Sequence, residues 1–454
     1  MKLLVLDVVG LRLKDLALAP RIAELAQRGF AAPMRTILPA VTCSVQATWL
    51  TGTMPRSHGV VGNGWYFRDL AQVWLWRQAN QLVQGSKFYD EARARDPRFT
   101  CAKLFWWFNM YANVAYSVTP RPEYHADGLK RPGLYSEPPE LQAELQTRLG
   151  PFPLFQFWGP AADLRSTRWI ADCAKSVIEQ RDPTLALVYL PHLDYDHQRF
   201  GPDAEASRQA VRDVDRVAGE LIDLALERGA EVMVLSEYGI EKATQPILVN
   251  RVLHEHGLLR VQETSHGQLL DAGACRAFAV ADHQVAHVYV AHARDLEPTR
   301  KLLAALPGVR QVLDRDQQRT HGLDHERSGE LVCVADAGAW FAYHYWLDES
   351  KRPDFAPTVD IHRKPGYDPT ELFVDQHLRF PRLRVAKNLA KKLLGFRYLM
   401  DVIGTDPSVV GGTHGRLFED DQAGPVFVSS RREGAADAVA ATEVHDRILR
   451  ALPG

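Results

Sequence analysis

The sequence predicts a doubly wound, mostly parallel α/β sheet flanked by helices, with inserted cap regions. Three observations carry that prediction. Short apolar runs of the kind buried on both faces of a parallel sheet recur at Lys2–Leu6, Thr184–Leu190 and Glu231–Leu235. Stretches with apolar residues at helical spacing lie beside them, at Leu16–Arg28, Ser166–Glu179 and Ala204–Arg228. Polar residues then follow the strands, where open α/β sheets hold their ligands.

Taken in order, the first run stops at Asp7, and the helix after it ends near Gly29. Residues 65–160 break the pattern. They hold many prolines and aromatics (Trp65, Tyr66, Trp74, Trp76, Phe88, Tyr89 and Phe105 to Phe108) with weak periodicity, and read as an excursion covering the site. Order returns at Ser166–Glu179, with Ser166 and Thr167 as N-cap candidates. Asp194 follows the second strand, and Glu237 and Tyr238 follow the third. Residues 246–340 read as a second cap, which leaves 1–64, 160–245 and 340–454 as the catalytic core. Leu378–Asp401 is basic and partly amphipathic; it reads as a solvated surface helix or lid, or as a contact for an anionic surface.

Composition narrows the function. The 454 residues are 46% apolar and 24% charged with a net charge of -2, so no basic field points to a nucleic-acid polymer. The five cysteines form no CxxC pair, which argues against a disulfide framework or a cysteine zinc site and for reduced, cytoplasmic thiols. The opening MKLLVLDVVG is too short an apolar run for a secretory signal, and no run of about 18 apolar residues predicts a membrane span.

The most specific stretch is LPAVTCSVQATWLTGTMPRSHGVVGNGWY, Leu38 to Tyr66. A Pro-containing turn leads to Thr42; Thr51-Gly52, Pro55, His58-Gly59 and Asn63 follow without a gap. This resembles the type I phosphodiesterase/nucleotide pyrophosphatase family of the alkaline phosphatase superfamily. The resemblance implies that Thr42 is a nucleophile, activated by metal because a hydroxyl is weak at its free pKa. At a helix N-terminus it would share free N–H groups with the phosphate. Asn63 would donate to a non-bridging oxygen, or serve only as a turn residue. His58 reads as a packing or capping residue. Cys43 lacks the C-x-P-S-R setting of sulfatases and is not the expected nucleophile.

The resemblance also implies two divalent metal ions, zinc first. One would take Asp7, Thr42 and an Asp-His pair, which here reads Glu237-Tyr238. The other would take Asp194, a His four residues later and His414 of GGTHGR. Position 198 holds Gln, so His197 next to it, or His192, is the expected substitute. A phenolate from Tyr238 would favour manganese or iron. Asp360 and His362 of VDIHRKPGYDP could fill a vacated position or be loop residues, and Arg363 and Lys364 are candidates for substrate charge. His254, His256, His283 and His287 read as surface or cap residues. Trp65 and Trp107 bound an aromatic set that would stack on a nucleoside-like leaving group or form cap core.

The implied activity is hydrolysis of a phosphodiester or phosphoanhydride bond in a small, nucleotide-like molecule through a phospho-threonine, with a homodimer compatible. Transfer to an acceptor other than water and an impaired metal-binding scaffold are the rival readings.

Overall fold

The computed structural model describes residues 1–126, 130–396 and 398–452. Its centre is a nine-stranded sheet. In chain order the strands are β1 (Leu3–Val8), β2 (Phe30–Arg35), β3 (Cys101–Leu104), β4 (Tyr116–Pro120), β5 (Leu134–Glu137), β6 (Leu185–Leu190), β7 (Glu231–Leu235), β8 (Val426–Ser429) and β9 (Val439–Ala440). Their spatial order is β9-β2-β8-β7-β1-β6-β3-β4-β5. Five adjacent strands, β7 to β4, are mutually parallel, and β5 and β8 run antiparallel to their neighbours. All six residues of β1 and of β6 are buried, as the continuous apolar runs require of strands covered on both faces.

Helices α1 (Pro20–Arg28), α2 (Thr42–Thr51), α3 (Leu164–Arg181), α4 (His192–Phe200), α5 (Glu205–Glu227), α6 (Pro381–Leu393) and α7 (Val444–Ala451) matter below. α3 and α5 pack on each other and on the central strands, and α2 packs against α7. All ten residues of α2 are buried. Gly52 ends α2 with φ 66°, and its N–H bonds to Thr48 O. A side chain there would be strained by that φ and crowded by His445.

The structure revises several expectations. Asp7 lies inside β1, one residue before its end. α3 is capped by Asp163, whose side chain accepts from Arg165 N, instead of by Ser166 or Thr167, both of which are buried inside the helix. Three strands of the main sheet, β3, β4 and β5, come from the segment read as an insertion. They escape sequence reading because strands of four or five residues set among aromatics and prolines carry too little alternation to register. Residues 277–335 form a separate antiparallel sheet in the order Ala277–Asp282, Val285–Val290, Leu331–Ala335, Val309–Leu313, with its own hydrophobic cluster. The turn between its first two strands, Asp282 to Gln284, reaches the site.

Candidate active site

Parallel register brings the polar residues together. Asp7 is level with Tyr189 of β6 and with Leu235 of β7. Asp194, in the first turn of α4, and Glu237, two residues past β7, therefore leave the sheet at the same edge as Asp7. Thr42 opens α2 at that edge. Gly412 fixes the approach of the segment that carries His414: an added Cβ would collide with the carbonyl of His197.

The side chains form one connected group. Thr42 Oγ1 donates to Glu237 Oε2 at 2.9 Å and lies 3.2 Å from the Tyr238 hydroxyl. Tyr238 in turn reaches Asp194 Oδ1 at 3.3 Å. Gln46, one helical turn after Thr42, donates from Nε2 to Asp7 Oδ2 at 2.9 Å and to Glu237 Oε1 at 2.7 Å. His414 Nδ1 bonds Ala40 O at 2.8 Å; a carbonyl only accepts, so the proton is on Nδ1 and the Nε2 lone pair faces Asp194 Oδ1, 4.0 Å away. Rings stack in a column: Tyr238 on His414 at 3.5 Å, His414 on His283 at 3.7 Å, His283 on Tyr367 at 3.8 Å.

Asn63 is held on three sides. Its Oδ1 accepts from Cys43 N at 3.0 Å, its Nδ2 donates to Asp282 Oδ1 at 3.0 Å, and its own N–H donates to Asp282 Oδ2 at 2.8 Å. One amide hydrogen of Nδ2 is left for an incoming oxygen. Burial raises the Cys43 thiol well above its ordinary range, so its reactive thiolate form is disfavoured.

The electrostatics are lopsided. Burial pushes Asp194 up to about 6 and Glu237 up to about 7, and raises Asp7 well above the carboxylate range. Burial also raises the Tyr238 phenol and depresses His414 to about 3, so that imidazole is neutral. Among the described residues no Lys or Arg forms an ion pair with Asp7, Asp194 or Glu237. Asp7 Oδ1 and His414 Nε2 are buried without a hydrogen-bond partner. Three buried carboxyls and two orphaned acceptors are what a divalent cation would satisfy, so the residues fit such an ion. The donors are mainly oxygens, those of Asp7, Thr42, Asp194, Glu237 and Tyr238, with one imidazole from His414. No cluster of three or more His, Cys, Asp or Glu stands at ligand spacing among the described residues, and the Gln46 amide bonds both Asp7 and Glu237.

Other expectations are not met. His197 is buried in the field of Asp15 and Arg12, away from Thr42, and Gln198 keeps the position in register, with its Oε1 accepting from Tyr367 at 2.9 Å. The one-residue shift would have required α4 to unwind. His192 is buried next to Tyr195, with their rings 6.2 Å apart, and is not part of the group around Thr42. Lys364 is locked in a buried pair with Asp368 at 2.7 Å and Glu371 at 2.8 Å, so it is not free for phosphate. Arg363 is exposed and pairs with Asp360. Trp65 packs against Phe67 under Arg327 in a buried cluster, away from the cavity; Trp76, 4.8 Å from Trp107, takes the place foreseen for it. His362 is half-buried in the cavity wall. His283 and His287 are fully buried, His283 in the ring column and His287 bonded to Val61 O. Gln46, Asp282 and Tyr367 join the site without having been singled out in the sequence, and His283 joins it in place of a surface or cap position. Gln46 had a signal, its i+4 spacing from Thr42 on one helix face; the other three come from distant loops and had none.

Above Thr42 opens a cavity of about 1790 Å³. Thr42, Asn63, Asp194 and Tyr238 stand in its wall, which Trp76 and Trp107 continue outward.

A family model for type I phosphodiesterase / nucleotide pyrophosphatase matches residues 3–368. An uncharacterised pyrophosphatase/phosphodiesterase of Schizosaccharomyces pombe is 23% identical over 360 residues, 77% of this chain; the chain spans 64% of that relative's length. Among solved structures, phosphonoacetate hydrolase from Sinorhizobium meliloti with phosphonoacetate superposes with TM-score 0.63 at 16% identity, over 99% of this chain and 95% of that one. An inactive, threonine-to-alanine form of murine ectonucleotide pyrophosphatase/phosphodiesterase 5 with AMP superposes with TM-score 0.58 at 14% identity, over 100% and 96%. These two show the shared fold.

Proposed function

The chain belongs to the type I phosphodiesterase/nucleotide pyrophosphatase family, and from that premise we propose that it hydrolyses phosphodiester or phosphoanhydride bonds through a covalent intermediate on Thr42. The observation that carries the reading is the Thr42 hydroxyl. It sits at the N-terminus of a helix, in the wall of a large cavity, bonded to Glu237 at 2.9 Å. The inactive threonine-to-alanine form of the murine neighbour, and the AMP it binds, support the same assignment.

Thr42 Oγ1 attacks phosphorus as the bond to the leaving group breaks, and its proton passes to Glu237 Oε2. Tyr238 and Glu237 hold the oxygen so that its free lone pair faces the cavity. The free hydrogen on Asn63 Nδ2 meets the non-bridging oxygen, and Asp282 fixes that amide in place. The Trp76–Trp107 pair offers a face to an aromatic leaving group. Water then cleaves the phospho-threonine. Divalent ions, held by Asp7, Thr42, Glu237 and Tyr238 on one side and by Asp194 and His414 on the other, would neutralise phosphoryl charge and lower the pKa of the attacking oxygen. The oxygen-rich set suits a hard ion such as manganese better than zinc. Five buried, unpaired cysteines support a reducing, cytoplasmic setting. No helix among the described residues is long and apolar enough to cross a membrane.

The test is acid quenching during turnover of bis(p-nitrophenyl) phosphate, followed by peptide mass spectrometry. A phosphoryl group on the peptide containing Thr42, absent in Thr42→Val, is expected. Turnover by Thr42→Val within about tenfold of the parent would refute the assignment, since losing a nucleophile costs at least about 10³-fold.

A further inference from the structure

We propose that α6 seats the protein on an anionic lipid surface, and that the cavity above Thr42 receives the hydrocarbon chain of an amphiphilic phosphodiester drawn from that surface. The second clause rests on the hydrolase reading above; the first does not.

The sequence of this segment is unlike the rest. Residues 376–400 contain seven Lys or Arg and no Asp or Glu, in a chain of net charge -2. Five of them, Arg382, Arg384, Lys387, Lys391 and Lys392, lie in α6, which carries two apolar stripes. Pro381, Val385 and Leu389 face the cavity and form part of its wall. Leu383, Leu393 and Leu394 face outward and are 65%, 88% and 72% exposed, and Phe396 just beyond the helix is exposed as well. Helical geometry at 100° per residue places Lys387 and Lys391 along one border of this outer stripe and Arg382 along the other. The helix is fixed along another edge: Arg384 pairs with Asp401, and Asn388 Nδ2 donates to Leu399 O at 2.8 Å. A helix held this way, with leucines in solvent between cationic borders, has the charge and apolar pattern that lies in an anionic lipid interface.

The cavity points to the same occupant. At about 1790 Å³ it exceeds the roughly 300–1,000 Å³ of an ordinary small-molecule site. Thr42, Asn63, Asp194 and Tyr238 occupy one part of its wall. Most of the remaining wall is aliphatic and aromatic, with the cationic Arg382 and Lys392 of α6 set among Pro381, Val385 and Leu389, and Leu70, Tyr111, Phe155 and Val374 of the lining are exposed. A small polar phosphodiester would fill only the inner end. A hydrocarbon chain would fill the remainder and emerge beside α6, where a lipid surface would supply it. Each methylene buried strengthens binding roughly fourfold.

The experiment has two arms. In the first, the full chain is sedimented with vesicles of phosphatidylglycerol and phosphatidylcholine, and with phosphatidylcholine alone. Binding at least tenfold tighter to the anionic vesicles is expected, lost in the double variant Leu383→Glu/Leu393→Glu and reduced to the neutral level in Lys387→Glu/Lys391→Glu. These side chains are exposed, and an unchanged melting midpoint shows that the variants fold. Equal or absent binding to both vesicles overturns the proposal. So does a dimer, seen by sedimentation velocity without lipid, that Leu383→Glu/Leu393→Glu dissociates, since a second copy would then cover the face. In the second arm, KM is compared for methyl and octyl p-nitrophenyl phosphodiesters. At least a tenfold lower KM for the octyl ester is expected, and equal values overturn the substrate assignment. Failure to hydrolyse either ester refutes the hydrolase reading and the substrate clause with it, while the vesicle arm still decides the docking.

Discussion

Replacing Gln46 by leucine tests whether one amide holds the carboxyls of the site in place. Gln46 Nε2 donates to Asp7 Oδ2 and Glu237 Oε1, and its Oε1 accepts from Trp107 N at 2.8 Å, all in a buried setting. Two hydrogen bonds to acidic groups at about 1.5–3 kcal/mol each, and one to a backbone N–H at about 0.5–1.5, sum to roughly 3.5–7.5 kcal/mol. The leucine side chain returns about 1.5–3 kcal/mol by burial, so a net loss of about 0.5–6 kcal/mol, centred on about 3, is expected. Urea unfolding of metal-free protein measures it as a lower midpoint at unchanged slope. Gln46→Glu keeps the size and the acceptor for Trp107 but adds a third carboxyl. It is expected to be less stable than Gln46→Leu without cation, and to recover on adding a divalent ion while Gln46→Leu does not. No measurable loss of stability in Gln46→Leu, or no difference in cation response between the two variants, would refute the bridging role.

Chelation followed by dialysis should abolish turnover of bis(p-nitrophenyl) phosphate, and manganese should restore more of it than zinc; initial rates on re-addition decide. Asp282 gives a pH test. Burial raises its carboxyl in the folded protein to about 7, above its unfolded value. The folded state therefore binds the extra proton, and the stabilisation is complete below the unfolded pKa and lost as pH rises to about 7. Melting midpoints of metal-free protein between pH 4 and 8 should fall less steeply in Asp282→Asn than in the parent. Lys364→Met leaves Asp368 and Glu371 buried without their cation and should cost about 3–5 kcal/mol by urea unfolding. The double variant Lys364→Met/Asp368→Leu should recover part of that loss.

The sequence by itself determined the parallel core and singled out the Thr42 segment. β1, β6 and β7 are apolar throughout because parallel strands are covered on both faces, and that condition is written into consecutive residues. Thr42 and Asn63 lie within one contiguous stretch whose spacing is local information. The tertiary structure alone decided what surrounds them. Gln198, not His197, faces the site because α4 continues without a break, and Lys364 is withdrawn into an ion pair whose partners lie along the following turn. Trp76 replaces Trp65 because the hairpin that carries both turns Trp65 into the core. Asp282, His283 and Tyr367 reach Asn63 and His414 only when the small sheet and the late loops fold over the strand ends. Such convergence depends on where chain segments hundreds of residues apart are packed, and no local spacing records it.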